Sequence, residues 1–192
     1  MPDYFIPTFA RDPKNCSISR SPSDLPHRHY PVDGIRLGPT AYQSVFDMAA
    51  NNPGIAVPDF IKNAMGYTLV SARLKELLAN TGVEIEFLPF KLRNHKGRFA
   101  AEELFIANVI GAPDGVDTAK TVGEVDPVNK GRYMFVQRVF LDPQKLDPQL
   151  ALFRLRIRPQ YLVMREDLKQ QLEGAGITGI VFNRVGDPMK LD

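Results

Sequence analysis

Tyr67–Phe87 reads YTLVSARLKELLANTGVEIEF, and Tyr161–Val181 reads YLVMREDLKQQLEGAGITGIV. Leu74, Lys75, Leu78 and Gly82 of the first stretch recur in register as Leu168, Lys169, Leu172 and Gly176. Each stretch carries the marks of a strand, a short helix and a second strand. In the first, Thr68–Val70 is β-prone, and the hydroxyl of Ser71 stands where it can accept an orphaned amide at a helix start. Leu74, Leu77 and Leu78 lie three and four apart, on one helical face. Gly82 tolerates the left-handed backbone common just past a helix end. Val83–Phe87 then alternates with the period of a half-exposed strand, and Pro89 limits its extension. In the second stretch, Leu162–Met164 opens as strand, Glu166–Leu172 forms the helix and Ile177–Phe182 closes as strand. Such a unit buries a helix stripe on a sheet. Two copies read as two solutions to one packing problem rather than as a duplication. The expected class is α+β, a mainly antiparallel sheet with a few short amphipathic helices.

Outward from these units the patterns are weaker. The first sixty residues hold nine of the sixteen prolines, which disfavours long helices and central strands there. Residues 1–60 are therefore expected as a proline-rich segment packed on the core, with 61–192 as the α+β body of one compact domain. Tyr4–Phe9 and Ile35–Leu37 read as short strands, and Thr40–Ala50 (TAYQSVFDMAA) as a helix. Residues 14–31 (KNCSISRSPSDLPHRHYP) read as a loop. Farther on, Asn94–Gly97 is a turn between strands, with Glu103–Ile110 returning. Pro113–Asn129, acidic and glycine-bearing, reads as loop. Arg132–Leu141 is a strand, and Leu152–Arg158 (LFRLRIR) alternates as an unbroken one.

Across 192 residues the formal net charge is only +2, so no global field recruits nucleic acid or anionic membrane. A single cysteine, Cys16, excludes an intrachain disulfide and a multi-cysteine zinc site. The start, MPDYFIPTFARDP, carries neither a basic leader nor an apolar stretch of signal length, and no run approaches a membrane span. A soluble, cytoplasmic chain is expected. His27 and His29 are spaced for two ligands of a metal only if a third comes from elsewhere; solvent-exposed side chains are the plainer reading. No G-x-S-x-G elbow, dinucleotide fingerprint or P-loop occurs. Asp114, Asp117, Glu124 and Asp126 miss the calcium-loop spacing. No catalytic residue, cofactor or metal site is nominated.

The cations say more. Residues 130–158 hold seven Lys or Arg against only Asp142 and Asp147. Arg154, Arg156 and Arg158 alternate with Phe153, Leu155 and Ile157, so on one strand all three guanidinium groups would share a face. That face suits an acidic partner, or else it is the wet side of a sheet paired with carboxylates. Arg93, His95, Lys96 and Arg98 surround the Asn94–Gly97 turn, either as a polar loop tip or as part of a basic contact surface. Nucleic acid ranks below a protein partner because no aromatic–basic stacking platform accompanies these residues.

LVSARLKELL, VEIEFLPF, LFIANVI, LFRL and LVMREDLKQQLEGAGITGIVF follow in this order between residues 67 and 183. Together they resemble immunity protein family eleven of bacterial polymorphic toxin systems. The resemblance implies an antitoxin-type, non-enzymatic inhibitor that binds a cognate toxin domain, with no cofactor and no catalytic motif to carry over. Arg154, Arg156, Arg158, Arg93, His95, Lys96 and Arg98 are then the expected partner contacts. Two rival readings are a small metal-dependent hydrolase using His27 and His29, and a nucleic-acid-associated module using residues 130–158.

Overall fold

The computed structural model describes residues 2–38 and 44–189. Strand β1 (Tyr4–Phe9) is followed by β2 (Ser17–Ile18), α1 (Tyr30–Asp33), β3 (Ser44–Asp47), β4 (Phe60–Asn63) and β5 (Leu69–Ser71). Helix α2 (Ala72–Ala79), β6 (Ile85–Arg93), β7 (Phe99–Val109), β8 (Val122–Val125) and β9 (Tyr133–Arg138) come next, then β10 (Leu152–Leu155), β11 (Arg158–Arg165), α3 (Glu166–Gly174) and β12 (Ile180–Arg184). One sheet has the order β10-β11-β1-β12, a second β2-β4-β5-β7-β6-β3, and β8–β9 form a separate ribbon. Among the named strands of the described residues, only β2–β4 and β3–β6 pair parallel, so the class is α+β with a mainly antiparallel sheet. Among the described residues no helix is long and apolar enough to cross a membrane.

The two related stretches meet at one core. Leu74 and Leu78 of α2 and Leu168 and Leu172 of α3 pack in a single cluster with Val70 and Ala107 of the second sheet and Leu152, Leu162 and Met164 of the first. Ser71 caps α2 as its position implies, its Oγ accepting from Leu74 N at 3.2 Å. Asp59 then ties the two units together. Its carboxylate accepts from Ser71 Oγ at 2.6 Å, from Thr178 N at 2.9 Å and from Thr178 Oγ1 at 2.8 Å. Burial alone would raise the Asp59 pKa, but these bonds and the nearby Arg73 charge outweigh it and hold the carboxyl below its usual range.

Pro159 is the second residue of β11, near its start, but Pro7 and Pro89 sit inside strands where proline was expected to be excluded or to end the strand. In β1, Tyr4 O accepts from Val185 N and Ala10 N donates to Gly179 O, so even-numbered residues bond β12. Odd-numbered ones face β11, where Asp3 O accepts from Glu166 N. Pro7 therefore lacks its amide on the β11 side, and pairing with β11 stops at Phe5↔Met164. β1 is nonetheless interior to its sheet. In β6, Glu84 O accepts from Ile110 N, which turns even residues toward β7 and the nitrogen of Pro89 away from it. Among the described residues the β3 ladder runs from Ser44↔Phe90 to Asp47↔Arg93. The strand runs on to Arg93 instead of ending.

Other expectations change. Ser44–Asp47 is strand, not helix, and its residues pair with Phe90–Arg93; the remainder of the expected helix at 40–43 lies outside the described residues. Ile35–Leu37 is not a strand. Instead Leu37 N and Gly38 N donate to the Glu86 carboxylate, and Asn108 Nδ2 donates to Ile35 O. The 113–129 loop contains β8. LFRLRIR is not one strand: Arg156 and Ile157 turn between β10 and β11.

Candidate interaction surface

That turn undoes the expected arginine stripe. Arg154 is fully buried and spends its guanidinium on main-chain carbonyls. Nε donates to Val109 O at 2.7 Å, Nη1 to Val32 O at 3.0 Å and Pro159 O at 2.6 Å, and Nη2 to Pro31 O at 2.7 Å. One side chain thus joins α1, β7 and β11. Burial pulls its pKa down to about 10, the Asp33 charge opposing, so it remains a cation at neutral pH. Gly34 permits this packing: at φ +70, an added Cβ would lie 2.8 Å from Val109 O and 2.9 Å from Arg154 Cδ. A side chain so enclosed does not meet a partner.

Arg156 is exposed on the turn, 3.7 Å from Asp114, an ion pair worth little in water. Arg158 is half-buried; its Nη1 donates to Tyr133 O at 3.0 Å and its guanidinium lies 5.6 Å from the Tyr161 ring centre. Of the three arginines, one is structural, one braces β9 and one is free to reach outward.

The second group of cations is elsewhere. The β6–β7 turn is built by Asn94, whose Oδ1 accepts from Lys96 N and Arg98 N. Arg93 is held by Asp47 through two bonds of 2.8 and 3.0 Å, while His95, Lys96 and Arg98 project into solvent. Beside this tip runs an open polar groove of about 1040 Å³, lined in part by Arg20, Asp24, Asp47 and Arg93. Val109, which accepts from Arg154, ends the eleven-residue β7 at the opposite end from the tip. At about 3.3 Å per residue, the two cationic groups are separated by roughly 33 Å along the strand. The structure does not bring them together.

Sequence reasoning overlooked a third feature. The β8–β9 ribbon forms an arm on which every residue of β8 is exposed. Four of the eight exposed large hydrophobics among the described residues, Val122, Val125, Val128 and Met134, fall on it. The signal was present as three valines spaced by three, Val122, Val125 and Val128, within an acidic loop. Arg156 lies beside the apical end of β9, since Tyr133 N donates to Ile157 O at 2.8 Å.

Candidate chemistry is sparse by comparison. The His27 ring stacks on Tyr30 at 4.6 Å and His29 meets the same ring edge-on at 4.8 Å. Among the described residues no group of three His, Cys, Asp or Glu side chains is placed to hold a metal ion. Cys16 is buried, which pushes its thiol up to about 11, so thiolate is scarce at neutral pH.

Compared with known proteins, residues 10–187 match the sequence model of a family described as Immunity protein family (Imm11). The match begins well before residue 67 and takes in residues 10–60 of the proline-rich segment. No curated protein matches the chain.

Proposed function

The chain belongs to the Imm11 immunity protein family, and from that premise we propose that it neutralises one cognate bacterial toxin by stoichiometric binding rather than by catalysis. Family membership across residues 10–187 is the observation that carries this reading. Several features are compatible with it. The exposed cations Arg156, His95, Lys96 and Arg98 offer attachment points for an acidic surface, and the interior is filled by three apolar clusters. Protection of a cell requires a dissociation constant of about nanomolar or tighter, roughly 12 kcal/mol. A standard interface of about 800 Å² per partner is about as wide as the separation of the two cationic groups, so at most one of them can lie at its centre.

Co-expression tests the function. Cells making the protein encoded beside this chain's gene should survive only when this chain is present, and the two purified proteins should form a one-to-one complex. Equal killing with and without this chain would end the proposal. Charge reversal in two separate variants, Arg156→Glu and the pair Lys96→Glu with Arg98→Glu, identifies which group of cations leads. If neither variant weakens the complex, the cations do not lead it.

A further inference from the structure

Resting on that toxin-binding reading, we infer that the β8–β9 arm is the docking element, and that its partner is a toxin surface with an apolar depression bordered by carboxylates. Single exposed apolar residues are ordinary on a protein surface; four of the eight exposed large ones among the described residues fall on this one ribbon, a concentration of the kind that marks an interaction site. The arm is anchored through β9, where Val136 is fully buried and packs in the same cluster as Tyr4 and Phe153. Thr121 Oγ1 accepts from Phe140 N at 3.1 Å and fixes the arm's base. The outer edge of β9 is occupied as well, because Gln137 O accepts from Met189 N and Val139 O from Gly186 N. What remains outward is β8 and the apex.

The apex is ordered. Asp126 Oδ1 accepts from Val128 N at 2.8 Å and Asn129 N at 3.0 Å, and these bonds hold its carboxyl below the usual range. This turn presents Val128 with 94% of its surface exposed. An apolar side chain fixed outward by a built turn is preorganised for contact, which lowers the entropy lost on binding.

The charges favour an acid-rimmed partner. Lys120 and Arg132 are engaged by Asp117 and Asp33, whereas Lys130 and Arg138 are exposed and Arg156, paired only at 3.7 Å with exposed Asp114, lies beside the apical end of β9. Asp126 is committed to its turn, which leaves Glu124 as the arm's exposed carboxylate. Self-pairing of β8 edges is disfavoured by the two register shifts in the ribbon and by Glu124, both of which block flat edge-to-edge addition. The contact is therefore through side chains, and its occupant is the toxin rather than a second copy.

The test measures affinity of the full chain for the toxin-domain protein encoded beside its gene. Val128→Asp, on an exposed side chain, should leave thermal unfolding unchanged and weaken the complex about tenfold or more. Val122→Thr with Met134→Gln should weaken it comparably, and Lys130→Glu with Arg138→Glu should slow association and flatten its salt dependence. The tip variant Lys96→Glu with Arg98→Glu should bind as the wild type does. Full affinity in all arm variants, with the wild type bound, overturns the arm while the toxin-binding reading stands. No binding by the wild type overturns both. Arm variants that abolish a dimer of this chain but keep toxin affinity would make the arm a self-association surface and also overturn it.

Discussion

Replacing Arg154 by Met separates a structural arginine from a binding one. The variant deletes the donors that serve Val109 O, Val32 O, Pro159 O and Pro31 O. Each buried carbonyl left unpaired costs about 1–3 kcal/mol. Removing the buried charge recovers part of its desolvation cost, and the freed carbonyls relax, so the net loss expected is about 3–5 kcal/mol. That is a large share of the roughly 5–15 kcal/mol that holds a domain folded. Gly34→Ala attacks the same junction from the other side and should cost about 2 kcal/mol or more, through positive φ and the clash with Val109 O. Urea unfolding measures both. The Arg154 folded pKa of about 10 lies below the ordinary arginine value. Below about pH 10 both states are protonated, so the loss should not vary with pH there. Above about pH 10 the native state releases its proton before the unfolded one does, and this group's contribution to stability rises with pH. A loss under about 1 kcal/mol, or weaker toxin binding at unchanged stability, would refute the structural role.

Two further outcomes follow from other groups. Asp59→Ala should cost about 1–3 kcal/mol by urea unfolding, since it unpairs Ser71 and Thr178 at the junction of the two helical units. Because the Asp59 pKa is depressed from 3.8, its stabilisation is present above 3.8 and fades as pH falls from there toward the lower folded value. Asp59→Asn should therefore flatten the acid end of the stability curve, and an unaltered curve would contradict the shift. Cys16, buried with its thiol near 11, should react with a thiol reagent at neutral pH only as fast as the protein opens; rapid labelling of native protein would contradict its burial.

The parts legible in the sequence are those where local chemistry and period agree. Ser71, the leucines at three and four spacing and Gly82 are sufficient for α2, and Asn94–Gly97 for the β6–β7 turn. The misreadings share one cause, tertiary context. Pro7 is tolerated because β1 stops pairing with β11 before it, and Pro89 because the ladder phase turns its nitrogen away from β7, neither of which a local pattern reveals. LFRLRIR alternates without Gly, Asn or Asp at its centre, so the turn at Arg156–Ile157 carries none of the usual hairpin chemistry. Alternation correctly separated Arg154 from its apolar neighbours but not inside from outside. Four carbonyls, two from α1 more than a hundred residues away, make the interior its place. TAYQSVFDMAA contains a β-prone Ser-Val-Phe that β6 recruits. Of the candidate contacts, the tip residues were readable as an exposed turn; the arm was obscured because its valines lie among acidic and turn-forming residues.

Titration calorimetry of the purified chain against the toxin-domain protein encoded beside its gene puts the whole account at risk in one experiment. One toxin bound per chain, with a dissociation constant of about nanomolar and loss of toxin activity in step with occupancy, is the expected result. Absence of heat together with undiminished toxin activity at excess of this chain would contradict it.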